Sequence, residues 1–178
     1  AWGGSVNTSY FRSFYKFTYD DAARIADRKK YTILLRTPLR EFRYKDDPDK
    51  KGDSEAWQNT DFDDSQWETT DVCLQTWSTL GLHAYMGTVW YRATVKLGKL
   101  SEGKRVWLWI GATDGSVKVF VNGKHVPYVN AETTSDEASG YCKPFSFDVT
   151  SAVTSDAENQ ITIYGAYWCP DCRRSKQF

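Results

Sequence analysis

From residue 89 onward the chain is a succession of short apolar segments bounded by turn residues, with no helical period between them. Residues 89–97 (VWYRATVKL), 105–110 (RVWLWI) and 116–120 (SVKVF) are rich in β-branched and aromatic side chains, which suit a pleated, half-buried surface. Residues 119–126 (VFVNGKHV) place Asn122-Gly123 between apolar flanks. Both turn residues tolerate positive φ, and this is the strongest short-range hairpin signal. Residues 145–149 (FSFDV) alternate apolar and polar, and residues 158–164 make a last strand. Short strands at this spacing without intervening helices predict an all-β, antiparallel β-sandwich.

The first third is less regular. Residues 10–19 mix aromatic and polar side chains, while residues 20–30 (DDAARIADRKK) predict a short helix, acidic at its start and basic at its end as the macrodipole favours. Residues 31–36 (YTILLR) predict a strand and residues 39–44 a second one. Residues 46–52 (DDPDKKG) predict a solvated surface turn. In residues 105–110, Trp107 and Trp109 alternate with Val106, Leu108 and Ile110, so both faces are apolar and the two indoles are expected in the sandwich core.

Lysine and arginine total 23 and so do aspartate and glutamate, so the charges balance. No electrostatic footprint for nucleic acid and no polybasic membrane patch is present. No apolar run reaches the roughly 18 residues of a spanning helix. The start, Ala1-Trp2-Gly3-Gly4, has no basic-then-apolar signal pattern and no initiator Met, and predicts a mature product or an excised piece. Aromatics exceed what a core needs: eight Trp and eleven Tyr leave rings on turns and loops, where they make recognition surface. Of the four cysteines, Cys73 and Cys142 stand alone and are expected as buried free thiols, with a long-range bridge as the alternative.

Several pieces, taken in order, resemble one family. Phe42-Arg43-Tyr44, Asp47-Pro48 and Glu55-Ala56-Trp57 come first, followed by Phe62-Asp63-Asp64-Ser65-Gln66-Trp67. Then come Gly87 through Arg92 (GxxWYR), Gly111-Ala112 leading to Val121-Asn122-Gly123-Lys124, Phe147-Asp148-Val149-Thr150, and Glu158-Asn159-Gln160-Ile161. Together they resemble the N-terminal sugar-binding domain of family-two glycoside hydrolases, the β-galactosidase and β-glucuronidase group. The resemblance covers residues 39–163 and implies a jelly-roll sandwich of the galactose-binding-like fold. The implied organisation is a lead-in over 1–38, the jelly roll over 39–163 and a tail over 164–178. The lead-in is longer than the family pattern.

Glycoside hydrolysis needs a general acid and a nucleophile or base at a fixed separation. The acidic clusters Asp61/Asp63/Asp64 and Asp46/Asp47/Asp49 lie in turn-type segments, where such residues cap backbone N–H groups. In the resembling enzymes the catalytic carboxylates sit on a separate barrel domain, so this chain is expected to be a non-catalytic accessory domain. Its implied partners are carbohydrate and that barrel, with no nucleic acid, membrane or cofactor. The family's loop equivalent to residues 76–87, and the one before the closing FDV strand, approach the catalytic pocket. Carried over by position, this points to Trp77, His83 and Tyr85, and to Tyr141 and Lys143, as sugar contacts through ring stacking and donation to hydroxyls. For Trp77 the core-plug reading is the favoured one, whereas His83 and Tyr85, between Gly81 and Gly87, are expected to be exposed. The resemblance also implies a secreted or periplasmic location.

The tail departs from this pattern. Tyr167-Trp168-Cys169-Pro170-Asp171-Cys172 after an apolar run resembles the WCxxC segment of glutaredoxins and thioredoxins, in which a helix N-terminus makes the first Cys a thiolate. Only six residues follow Cys172, too few for the rest of that fold. Cys169 and Cys172 could form a local disulfide, or supply two of a zinc ion's four ligands. Two alternatives to a sugar-contacting domain therefore stand: a thiol–disulfide redox protein through Cys169/Cys172, and a purely structural domain.

Overall fold

A computed structural model describes residues 31–35, 37–83, 85–111, 114–130, 133–141 and 144–166. The chain divides into two compact units, residues 1–36 and 37–178, and the architecture that follows is that of the second. Eleven strands are described there: β1 (Glu41–Asp46), β2 (Glu68–Asp71), β3 (Thr88–Lys96), β4 (Trp107–Ile110), β5 (Asp114–Val121), β6 (Lys124–Val126), β7 (Tyr128–Val129), β8 (Thr134–Ser135), β9 (Ala138–Tyr141), β10 (Phe145–Asp148) and β11 (Glu158–Ala166). A seven-stranded sheet has the order β2-β1-β3-β11-β5-β6, with β9 also paired to β5. The ladders β10–β4 and β7–β8 complete an antiparallel β-sandwich. The residues described contain no helix.

Alternation explains the main core. Val117, Val119 and Val121 of β5 and Ile161 of β11 pack with Phe145, Phe147 and Val149 from the other sheet, joined by Leu108 and Ile110 of β4. The hairpin falls where Asn-Gly placed it, with Asn122 at φ 51° and Gly123 at φ 75°, the geometry of a type I′ turn. Asn122 also fastens this turn to β11. Its Oδ1 accepts from Gln160 N at 2.9 Å, and its amide donates to Asn159 Oδ1 at 2.8 Å. Asn159 is fully buried and donates in turn to the carbonyls of Thr154 and Ala157.

The large sheet is covered on its second face as well. Residues 47–67 fold over it and bring Trp57 and Trp67 onto Trp90 and Phe120, with Phe62 and Tyr164 at the margin. This double cover is why Thr88, Val89 and Trp90 are all buried in consecutive positions. Arg92, 3% exposed, clamps the overlying segment. Its Nε donates to Asp64 Oδ2 at 2.7 Å, Nη1 to the carbonyls of Trp57 and Asn59, and Nη2 to that of Phe62 at 3.3 Å.

Several sequence expectations are corrected. Residues 46–52 are no plain surface turn, because Asp47 is 3% exposed and Gly52 is buried against the Trp90 ring. Asp47 accepts from the backbone N–H groups of Lys51 and Gly52 and from Trp90 Nε1. Residues 31–35 form no strand: an apolar run becomes one only beside a partner edge, and no described strand pairs with it. Trp107 and Trp109 are not core but 38% and 66% exposed. Their strand has one inward face, and Leu108 and Ile110 occupy it. Cys73 is an exposed free thiol, not a buried one. The helix expected over 20–30, and Cys142, lie outside the described residues.

Candidate functional site

The segment between β2 and β3 is a folded loop rather than a slack connection. Leu82 N donates to Trp77 O at 2.7 Å and Gly81 N to Ser78 O at 3.3 Å, with Gly81 at φ +80°. This pair of bonds closes a single helical turn in the manner of a Schellman motif, which needs a residue free to adopt left-handed φ. Thr76 and Thr79 brace the turn, since Thr76 N donates to Thr79 Oγ1 and that hydroxyl donates back to Thr76 O.

Two aromatics seat the loop on the sheet. Trp77 is half-buried and its Nε1 donates to Tyr91 Oη at 2.5 Å. Burial pushes the Tyr91 hydroxyl up to about 12, against the Trp77 hydrogen bond, which favours the ionised form. Tyr85 lies 5.8 Å from the Trp77 ring, and its hydroxyl donates to Thr88 O at 3.0 Å. The ring covers Gly87, where an added Cβ would come within 2.6 Å of Tyr85 Cζ. Tyr85 is therefore half-buried, where the sequence suggested exposure, and its hydroxyl is engaged by the backbone. His83, two residues earlier, is exposed as expected.

Of the remaining candidates, Tyr141 lies on a strand that reaches the same end of the large sheet. Tyr141 ends β9 opposite Asp114 of β5. Along the row Thr88, Ala166, Ser116 and Ser139, the start of β3 and the strand β9 are separated only by β11 and β5. Three strand spacings amount to about 14 Å. Loop 76–87 and the exit of β9 thus share one end of the sandwich, with Trp77 and Tyr85 in ring contact. Lys143, Cys169 and Cys172 lie outside the described residues.

Members of both acidic clusters take structural positions, Asp47 in the turn under Trp90 and Asp63 and Asp64 before Trp67. Asp63 Oδ1 accepts from Ser65 N at 2.9 Å, and this bond holds its carboxyl below the usual range. Asp64 is paired with Arg92 and faces Arg43 at 3.5 Å. An open cleft of about 610 Å³ beside β1 is lined by Phe42, Arg43, Asp64, Asp71, Thr94 and Gln160. Of its charged residues, Asp64 is paired with Arg92 and Asp71 with Arg40, and none of the candidate sugar contacts lines it. Among the described residues no three of His, Cys, Asp and Glu are grouped to hold a metal ion.

No family model matches the chain. It is 28% identical over 127 residues to a β-glucuronidase of Paenibacillus borealis, a match covering 68% of this chain and 19% of that protein. A β-glucuronidase of Formosa agariphila is also 28% identical, over 126 residues, covering 64% and 12% respectively. Among solved structures, the β-glucuronidase of Ruminococcus gnavus in complex with D-glucuronic acid superposes with a TM-score of 0.58 at 18% identity, covering 77% of this chain and 23% of that one. The chain thus resembles a part of these glucuronidases, spanning less than a quarter of their length, and shares the β-sandwich of the structural neighbour.

Proposed function

We propose that this chain is a non-catalytic accessory domain of a glycoside hydrolase, contributing loop 76–87 to a sugar site completed by a catalytic barrel domain. One observation carries the reading: the matched glucuronidases extend far beyond the 12–19% of their length that this chain covers. The chemistry of the loop agrees with it. His83 offers an exposed imidazole that can donate to or accept from sugar hydroxyls, on a backbone fixed by the Gly81 turn and by the rings of Trp77 and Tyr85. A braced loop with an exposed polar tip is suited to orienting a ligand that another surface encloses. The carboxylates Asp47, Asp63 and Asp64 are tied up in turns and arginine contacts, a structural use that accords with a non-catalytic role. Export to the periplasm or outside the cell accords with action on polymeric sugars.

Calorimetric titration with glucuronides and galactosides tests this. Binding of at least one class is expected, weakened by His83→Ala and by Tyr85→Ala, with no turnover of a chromogenic glucuronide. Absence of heat from every glycoside would leave a purely structural role for the loop, and turnover by the purified chain would refute the accessory assignment.

A further inference from the structure

We propose that the outward face of β4 is a second carbohydrate-contacting surface, a strip on which the rings of a glycan chain stack against Trp107 and Trp109. The inference takes its ligand class from the reading above, but its site is separate, on the other sheet of the sandwich.

Leu108 and Ile110 point into the core, so the residues between them point away from it. Their row reads Arg105, Trp107, Trp109, Gly111. The Arg105 guanidinium lies 5.0 Å over the Trp107 ring. At the other end Trp109 extends along the strand to Gly111, where an added Cβ would meet its ring at 3.3 Å. The missing side chain at Gly111 gives the indole room to lie along the strand, and Trp109 keeps 66% of its surface in solvent. Beside this row, β10 places Ser146 opposite Trp109 and Asp148 opposite Trp107. Ser146 is exposed, and Asp148 Oδ2 stands 3.9 Å from Arg105 Nη1. The open indole of Trp109 and the guanidinium-capped indole of Trp107 thus provide apolar surface for sugar rings, beside a hydroxyl, a carboxylate and a guanidinium for their hydroxyl groups.

Size favours a glycan over a protein partner. Six residue steps of about 3.3 Å and two strands about 4.8 Å apart give a strip of about 20 by 10 Å, or about 200 Å². A stable protein–protein contact needs about 800 Å² from each side. A glycan of a few sugar units lying along β4 fits the strip.

Native gels cast with soluble glucuronoxylan, mixed-linkage β-glucan or dextran provide the test, using the full chain. At least one polymer is expected to retard the wild-type chain, with affinity at least tenfold weaker in Trp107→Ala/Trp109→Ala and largely kept in Trp109→Phe. Circular dichroism checks that the alanine variant is folded, and both replaced side chains are exposed enough for that. Free mobility of the wild type in all three gels would overturn the proposal, as would equal retardation of the double variant. Concentration-dependent dimerisation abolished by the double variant would overturn it in favour of an interface between copies. The two readings fail separately. A chain that binds glucuronides through His83 but runs free in every gel loses only the strip, and one retarded through its indoles but silent toward glucuronides loses only the loop.

Discussion

Asp47 Oδ2 accepts from the indole N–H of Trp90 at 3.0 Å, across 43 residues of sequence and with both side chains buried. The same carboxylate receives Lys51 N at 2.7 Å and Gly52 N at 2.9 Å. The Thr88 hydroxyl donates to the Asp47 carbonyl at 3.0 Å, so side chain and backbone of one residue fix the turn 47–52 to β3. The turn's position sets where the overlying segment with Trp57, Phe62 and Trp67 begins.

Gly52→Ala should destabilise the domain by about 1–3 kcal/mol, the usual cost of overpacking a filled site. The added methyl would lie 2.7 Å from Trp90 Cζ2 and closer still to Nε1. Asp47→Ala should cost about 3–5 kcal/mol, since it strands three donors, two of them backbone N–H groups, in a buried place. Urea midpoints measure both, and an unchanged midpoint for either would show that the turn does not pin β3.

Arg92→Met removes a buried guanidinium and leaves Asp64 and the carbonyls of Trp57, Asn59 and Phe62 without its N–H groups. Breaking a buried pair from one side costs about 3–5 kcal/mol. Loss of the clamp should free Trp57 and Trp67 first, visible as a red shift of tryptophan emission at denaturant concentrations below the main transition.

Thr162 is 1% exposed, and its hydroxyl has no hydrogen-bond partner among the described residues. Thr162→Val keeps the shape and the β-branch while deleting the orphaned polar atom. A gain of about 1 kcal/mol is expected, because an unsatisfied buried hydroxyl costs on the order of 1–3 kcal/mol. A lower melting temperature for the valine variant would mean the hydroxyl has a partner after all.

Alkali should unfold the domain early. Tyr44 and Tyr91 stack at 6.4 Å, and each hydroxyl is pushed up to about 12, in both cases chiefly by burial. Above pH 10 the unfolded chain loses these protons while the folded chain keeps them. Stability is therefore complete below about pH 10 and falls between 10 and 12, by about 2–3 kcal/mol for Tyr91 alone. Chemical denaturation at stepped pH checks this, and a flat profile across that window would contradict it.

The strands were readable because period-two alternation and Asn-Gly chemistry are local. Asn122, Val119 and Phe147 announced their places, and the aromatic and acidic motifs proved to be what fastens the overlying segment. What was not readable depends on remote neighbours. Asp47 looks like any turn aspartate until Trp90 is brought over it. In residues 105–110 both alternating sets are apolar, so periodicity could not say whether Leu108 or Trp109 faces inward; the position of β5 decided it. For the loop, residue types identified His83, but the inward commitment of the Tyr85 hydroxyl follows from the Gly87 position beneath its ring.

The last of the described strands, β11, lies between β3 and β5 near the middle of the large sheet. During synthesis, β1, β2 and β3 can assemble as one ribbon and β5, β6 and β9 as another, each showing the ribosome-side solvent an unpaired edge. Only when residue 166 clears the exit tunnel can the two ribbons be zipped together, through nine pairs to β3 and six to β5. Joining segments so far apart in sequence is slow, and exposed edges awaiting a strand invite pairing with another chain. The nascent domain is thus most vulnerable to aggregation just before it is complete, and a short peptide copying β11 could act as an inhibitor of its folding.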